Sequence, residues 1–237
     1  MNYNIIQKKY KGLTFNIREG TSDEKGIIEV IEKNGYERRD FKILEGEKWL
    51  DIGASVGAFS VLASSKKARV ISFEPEKGSF ELLQMNCKPF ENKIINCGLG
   101  KEDCKKTLYA NSARGNFWRS SVYKKWRGAD EQSIVIMKVD QFIENNINLK
   151  IDCEGAEIDI LNRLFETGLI KEVNKIVVEW SFDIFPETKL FIDTVNKLSE
   201  THNILNLSEK RKSAIEKEPI YPKSWFPPAL KLFIVRK

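Results

Sequence analysis

The stretch Trp49-Leu-Asp-Ile-Gly-Ala-Ser-Val-Gly57, continued by Ala58-Phe-Ser-Val-Leu-Ala-Ser65, decides how the chain is read. Its apolar residues up to Asp51 predict a buried parallel strand, the two glycines a tight turn, and residues 58–65 a helix. Gly53 and Gly57 matter because glycine takes a positive φ without strain and lets a ligand come close to the backbone. A strand, a glycine turn and a helix in that order aim free N–H groups and a helix N-terminus at whatever binds there.

The next apolar run, Val70-Ile-Ser-Phe-Glu-Pro75, ends in a carboxylate, and Glu74 lies 23 positions beyond Asp51. An acidic residue about 20 positions after such a turn is placed to hold the two hydroxyls of a ribose. The glycines, however, are spaced Gly-x-x-x-Gly, which is not the Gly-x-Gly-x-x-Gly of a dinucleotide site. The pair of signals predicts a ligand with a ribose and no pyrophosphate. S-adenosylmethionine fits, with its amino-acid end near Asp51 and the turn.

Composition bounds the alternatives. A chain of 237 residues suits one domain with a substantial core. Its 39 cations against 34 anions give a net charge of +5, too small an excess to mark a nucleic-acid binder by itself. No apolar run approaches the ~18 residues of a membrane span. The opening Met-Asn-Tyr-Asn-Ile-Ile lacks the layout of a signal peptide, so a cytoplasmic protein is expected. Cys87, Cys97, Cys104 and Cys153 show neither a Cys-x-x-Cys pair nor a zinc spacing, and free thiols are expected. His202 is the only histidine, which removes Ser-His-Asp catalysis and His-rich metal sites. A carboxylate, a lysine or water is left as general base.

Residues 1–46 precede the first core strand and read as an extension, with a strand at 11–17 and a helix at 26–33. That extension is either a flap over the ligand or packing on the sheet, and Tyr36 is its residue of interest. The main domain would occupy 47–237, as a single unit. Helices are predicted at 76–87, 156–165 and 187–200, and a short one at 139–144 capped by Asp140. Strands are predicted at 93–97, 107–110, 133–137, 147–152, 175–180, 203–207 and 230–236, with a turn at Gly98-Leu-Gly100. Strands alternating with helices imply a parallel sheet. An insertion at about 111–132 mixes Phe117, Trp118, Tyr123 and Trp126 with Arg114, Arg119, Lys124, Lys125 and Arg127. Such a segment is an acceptor-binding lid or a partly packed surface loop. Tyr221, Trp225 and Phe226, in a proline-rich loop, are a wall for a sugar ring or an aromatic plug.

In open parallel sheets, ligands bind beyond the carboxyl ends of the strands. Asp51, Glu74, Asp152, Glu154 and Glu179 all fall at predicted strand ends. Each buried carboxylate needs a partner, a ligand or water. Glu154 is also readable as a helix cap, and Glu179 as the partner of a core lysine.

Leu50-Asp-Ile-Gly-Ala-Ser-Val-Gly57, Phe73-Glu-Pro75, Asn86, Lys150-Ile-Asp-Cys-Glu-Gly-Ala-Glu157 and Val178-Glu-Trp180 together resemble the FkbM family of class I methyltransferases. The resemblance runs from about residue 47 to 182. Ser55 stands where the family more often has Asn, and a histidine frequent two residues after the last acidic position is missing. The resemblance implies an α/β, Rossmann-like class I methyltransferase fold with a mostly parallel seven-stranded sheet and helices on both faces. The final strand would be antiparallel and inserted beside the fifth.

It further implies methyl transfer from S-adenosylmethionine to a hydroxyl of a saccharide, glycan or related metabolite. By position, Asp51, Gly53, Ala54, Ser55 and Gly57 would surround the methionine part, Glu74 and Pro75 the ribose, and Gly98 and Leu99 the adenine. Asp152 would lie near the methyl group, with Glu154 and Lys150 beside it, and Glu154 and Glu179 are expected to orient the sugar. Asp152 is the expected base. A Lys150 of lowered pKa, or magnesium held by Asp152 and a neighbour, are the other routes. Two rival functions stand beside this one: an RNA methyltransferase that uses 111–132 as a strand-binding surface, and a non-catalytic module of the same fold.

Overall fold

A computed structural model describes residues 3–112, 115–222 and 229–237. Arg114, Trp225 and Phe226 therefore lie outside the described residues. The strand that opens the sheet core is β3 (Lys48–Ile52), preceded by β1 (Ile5–Tyr10), β2 (Leu13–Arg18) and a short α1 (Asp23–Ile27). After it come α2 (Ala58–Ser65), β4 (Arg69–Phe73), α3 (Lys77–Cys87) and β5 (Lys93–Ile95). Three strands then stand apart: β6 (Gly98–Gly100), β7 (Cys104–Ala110) and β8 (Asp130–Lys138). The chain returns with β9 (Ile147–Ile151), α4 (Glu157–Glu166), β10 (Val173–Ser181), α5 (Thr188–Thr201), β11 (His202–Ile204), α6 (Glu209–Glu216) and β12 (Ala229–Arg236).

The main sheet has seven strands in the order β11-β12-β10-β9-β3-β4-β5. Neighbours from β10 to β5 run parallel, while β12 is antiparallel and sits between β10 and β11. This is the Rossmann-like class I arrangement expected from the sequence, including the inserted last strand.

Side chains alternate across a strand, and here they sort two cores onto the two faces. Leu50, Ile52, Ile151, Ile176, Val178, Leu232 and Ile234 join one cluster with Ile160, Leu161 and Leu164 of α4 and Phe191 of α5. Trp49, Val177 and Phe233 join the other, with Phe59 and Val61 of α2, Leu83 of α3, and Phe15, Ile17, Ile27, Tyr36 and Phe41. The segment before residue 47 is thus built into the second core, and it also reaches the cavity described below. Gly57 starts α2 with φ at 89°, and a Cβ there would meet Leu83 Cδ1 at 2.7 Å.

Three expectations change, and one open choice, at Tyr221, is decided. Gly98–Gly100 is a strand, not a turn, because it pairs in parallel with β8. The strands of residues 104–110 and 130–138 pair with each other in a separate three-stranded sheet, so the insertion ends before Asp130. Asp140 caps no helix; it lies inside a 3-10 turn (Val139–Phe142), and its carboxylate accepts a hydrogen bond from Arg163 at 2.6 Å. Tyr221 is a plug: it is buried and stacked on Phe182, with ring centroids 3.9 Å apart. Helix α6 and strand β1 had no counterpart in the sequence reading. All four cysteines are free thiols. Among the described residues, no helix is long and apolar enough to cross a membrane.

Phe15 is fully buried between the N-terminal hairpin and the sheet. Phe15→Ala should cost about 3–5 kcal/mol of unfolding free energy. Urea denaturation followed by tryptophan fluorescence checks it, and a cost below about 1 kcal/mol would mean that the extension is not part of the core.

Candidate active site

The same alternation that sorts the cores puts four charged residues on the second face. Asp51 of β3 stands directly across from Lys150 of β9, and Glu179 of β10 directly across from Lys231 of β12. Opposite charges in register on neighbouring strands attract. Burial makes each pairing obligatory, since an uncompensated charge there is costly.

Lys150 is the centre of the first pair. Its Nζ lies 3.1 Å from Asp51 Oδ1 and 3.9 Å from Asp152 Oδ2, and donates to the carbonyl of Gly53 at 2.6 Å. Burial works against its charge, but the carboxylates of Asp51 and Asp152 outweigh it and hold its pKa above the ordinary value. Lys150 is therefore a fixed cation, which corrects the expectation of a lysine lowered in pKa to act as base. Asp51 Oδ2 accepts from Ser60 Oγ at 2.6 Å, and Oδ1 takes no aligned hydrogen bond but faces the ammonium.

The second pair is shared with the N-terminal segment. Lys231 Nζ lies 3.3 Å from Glu179 Oε2 and 2.6 Å from Glu29 Oε1, and 3.9 Å above the Tyr36 ring. Glu29 sits on a π-helical turn, Ile28–Glu32, a local geometry common at functional sites. The Tyr36 hydroxyl donates to Asp152 Oδ2. Burial first, then Asp152 and Glu179, raise its pKa well above the ordinary value, so the phenol keeps its proton.

These groups line a cavity of about 630 Å³ at the carboxyl ends of the strands. Its floor is Gly53, Ala54, Ser55 and Lys150; Asp152, Glu154 and Glu179 stand on one side, and Glu29 and Tyr36 on another. Trp118 and Arg119 of the insertion form part of the mouth, where Arg119 pairs with Asp183. The volume falls within the range of small-molecule sites, roughly 300–1,000 Å³.

Of the expected catalytic residues, Asp152, Glu154, Lys150 and Glu179 all meet at this cavity. Glu154 is no helix cap, since Ala156 takes that position; its φ of 50° turns it out of the chain direction. Burial, then Asp152 and Asp183, raise its pKa well above the ordinary range. Burial and Asp152 push Glu179 up to about 7, against the pull of Lys231. Both readings of Glu179 hold together: it pairs with a lysine and it lines the cavity.

The expected cofactor residues divide. Gly53, Ala54 and Ser55 line the cavity. At Gly53 φ is 78°, and a Cβ would fall 1.9 Å from the Asp152 carbonyl oxygen, so any side chain would break the approach of the two loops. Asp51 is fully buried and lies behind this floor. Glu74 does not itself line the cavity; it stands behind Ser55 and accepts from the amides of Ser55 at 2.7 Å and Glu76 at 2.8 Å. Pro75 borders a second hollow, with Glu76, Asn96 and Gln132. Leu99 is a core residue and does not flank an open space, and Gly98 is packed against Ile136. Their expected place beside an adenine ring thus has no opening at Leu99.

Glu157, quoted in the motif without a role, is a buried strut. It accepts from the amides of Gly155 at 2.7 Å and Ser181 at 2.8 Å, joining the turn after β9 to the end of β10. Lys231 and Glu29 were missed. The signal for Lys231 was a lone lysine inside the apolar run Leu230-Lys-Leu-Phe-Ile-Val235. Among the described residues, no group of three or more His, Cys, Asp or Glu is placed to hold a metal ion.

The Methyltransferase FkbM domain profile matches residues 51–212, more than half of the chain. This chain belongs to the FkbM methyltransferase family. It is 25% identical over 142 residues to Methyltransferase 1 of Beauveria bassiana, covering 48% of this chain and 57% of that one. It thus spans little more than half the length of that relative. The crystal structure of the FkbM methyltransferase of Methylobacillus flagellatus is 16% identical, with 83% of this chain and 45% of that one covered and a TM-score of 0.49. A Pyrococcus horikoshii protein described as a transferase, PH0793, covers all of this chain (100%) with 74% of its own, at 12% identity and a TM-score of 0.51. At that identity the likeness bears on the fold alone.

Burial pushes the Glu74 carboxyl up to about 7 from an ordinary 4.5. The folded FkbM domain therefore holds a proton that the unfolded chain releases. This contribution to stability is complete below about pH 4.5 and lost as the pH rises through about 7. Glu154, Glu157 and Glu179 shift in the same direction. The ligand-free protein should accordingly lose thermal stability between about pH 5 and 7.5, and Glu74→Gln should make that slope shallower. Parallel slopes by scanning calorimetry would contradict it.

Proposed function

We propose that this chain transfers a methyl group from S-adenosylmethionine to a hydroxyl of a saccharide, glycan or related metabolite. The observation that carries the reading is the meeting of the glycine turn and Asp152 at the floor of one cavity: Gly53 has room for no side chain against Asp152. The donor end of a ligand on that turn lies next to Asp152. At the glycine turn the residues present suit such a ligand, while Leu99, expected beside the adenine, is packed in the core. Ser55 and Glu74 are tied together by a hydrogen bond, which keeps a carboxylate fixed beside the turn for hydroxyl groups. Asp152 and Glu179 supply negative potential for a cation, and Glu154, held in its protonated form by burial, offers a hydrogen bond.

The cofactor would supply an electrophilic methyl group on a positively charged sulfur. The protein's part is to align the acceptor oxygen and take its proton, and orientation is the larger share. Asp152 is the proposed base. Its Oδ2 is occupied by the Tyr36 hydroxyl, which leaves Oδ1 for the acceptor. Tyr36 holds the carboxylate in place and keeps its own proton, while the Lys150 ammonium lies 3.9 Å from the same oxygen. Glu154 and Glu179 hydrogen-bond the other hydroxyls of the acceptor. Trp118 at the mouth offers a flat face to a sugar ring.

Three of the insertion's cations are already engaged, which favours an uncharged acceptor over a phosphate-rich one. Arg119 is paired with Asp183, Lys125 with Glu131, and Lys124 donates to the Asp183 carbonyl at 2.6 Å. A surface for an RNA strand needs cations free to meet phosphates.

Asp152→Asn should leave the affinity for S-adenosylmethionine within about threefold and lower turnover by about 10²–10⁴. Gly53→Ala should abolish cofactor binding. Calorimetry with the cofactor, and a labelled-methyl screen over glycans, nucleotides and small RNAs, measure both. Full turnover in Asp152→Asn would remove it as the base, and the absence of cofactor binding by the unaltered protein would overturn the reading.

A further inference from the structure

Arg18 lies outside the cavity, and of its partners only Asp23 lines it, yet the others lead to residues placed around it. It ends β2 and is buried, with 4% of its surface exposed. Its guanidinium forks onto Asp23, Nε to Oδ2 at 2.8 Å and Nη2 to Oδ1 at 2.9 Å. Nη2 also donates to Ser79 Oγ at 2.9 Å, and Nη1 lies 3.4 Å from Glu76 Oε2. The flat cation rests on the Phe117 ring, 3.5 Å from its centroid. A planar, five-donor group stacked on an aromatic ring is what arginine provides and lysine does not.

Each contact leads to a different part of the site. Asp23 opens α1 and lines the cavity. Phe117 is followed directly by Trp118 and Arg119 at the mouth, and the backbone of that segment is tied back to Ser22, whose amide donates to the Gly115 carbonyl at 2.7 Å. Glu76 donates its amide to Glu74 Oε1 at 2.8 Å, and its own carboxylate accepts from Ser79 N at 2.6 Å and Gln132 Nε2 at 2.9 Å. One side chain therefore connects the carboxylate expected to hold ribose hydroxyls with the wall expected to meet the acceptor.

We propose that Arg18 is a positioning residue that makes the Trp118–Arg119 wall respond to the ribose corner at Glu74, through Glu76 on one side and the Phe117 stack on the other. The inference rests on the cofactor reading above. When hydroxyls engage Glu74, the Glu74–Glu76 turn loses freedom. The guanidinium bound to Glu76 and Ser79 is then held more firmly against Phe117. Segment 115–120 opens less often, and the acceptor wall is set only once the donor is in place.

S-adenosylhomocysteine serves as the probe, because no acceptor is required. Two quantities are measured: its affinity by calorimetry, and the change in hydrogen exchange of residues 115–120 on adding it. In the unaltered protein, saturation should slow exchange there by about tenfold, the size of an ordinary coupling between sites. Arg18→Lys keeps the charge and loses the fork and the stack. Phe117→Leu loses the stack and leaves the Arg18–Asp23 pair intact, so it carries the test if Arg18→Lys folds poorly. In both, affinity should stay within about threefold while the ligand-dependent slowing disappears. A purely structural role would raise exchange with and without ligand alike and leave the difference unchanged. Slowing that persists in Phe117→Leu, or binding to the unaltered protein with no change at 115–120, overturns the coupling alone. No binding to the unaltered protein overturns the cofactor reading and the coupling with it.

Discussion

Lys150 carries its charge where the sheet admits almost no water, and the surroundings follow from what that charge requires. An ammonium group has three protons to place. Here they face Asp51 across the strand, Asp152 at the end of its own strand, and the carbonyl of Gly53. Each contact fixes a different element: the first locks β9 to β3 in register, the second sets the height of a carboxylate on the rim, and the third holds the glycine turn down. Replacing such a group by an apolar one would leave Asp51 buried and uncompensated, which is the expensive half of a buried pair. Ser60 and Ser72, 2.7 Å apart on the far side of Asp51, continue the polar chain into α2 and β4.

A second constraint is geometric. Because neighbouring residues point to opposite faces, the four in-register charges on β3, β9, β10 and β12 cannot be shared between the two cores. They all fall on the face covered by the segment before residue 47. That segment must then be apolar where it meets Trp49 and Val177 and polar where it meets Lys231. Phe15, Ile27 and Phe41 meet the first demand, and Glu29 and Tyr36 the second. The extension is packing and cavity wall at once, so the choice between a flap and a packed segment dissolves.

The sheet was legible because its strands are short β-branched runs ending in glycine or carboxylate, and those local patterns carry the parallel architecture. Gly53 was legible for the same reason: its role is backbone geometry. Cross-strand pairing was not, since the partnership of Glu179 with Lys231 depends on the register of an antiparallel strand about 50 residues away, a non-local contact. Asp51 and Leu99 were assigned by position in a motif, and position cannot distinguish a side chain that faces the cavity from one that faces the core behind it. Gly98–Gly100 looked like a turn from composition alone. It became a strand because β8, after the insertion, supplied an edge to pair with.

The FkbM profile covers residues 51–212, and that span holds the turn, Lys150, Asp152, Glu154 and Glu179. Glu29, Tyr36 and Lys231 fall outside it and face the same cavity from the other side. The space is therefore bounded by two kinds of sequence, one inside the span that matches the family and one outside it, which meets Asp152 through Tyr36 and Glu179 through Lys231. In this chain, a substitution at Glu29, Tyr36 or Lys231 would therefore remodel one wall of the space while leaving the glycine turn untouched.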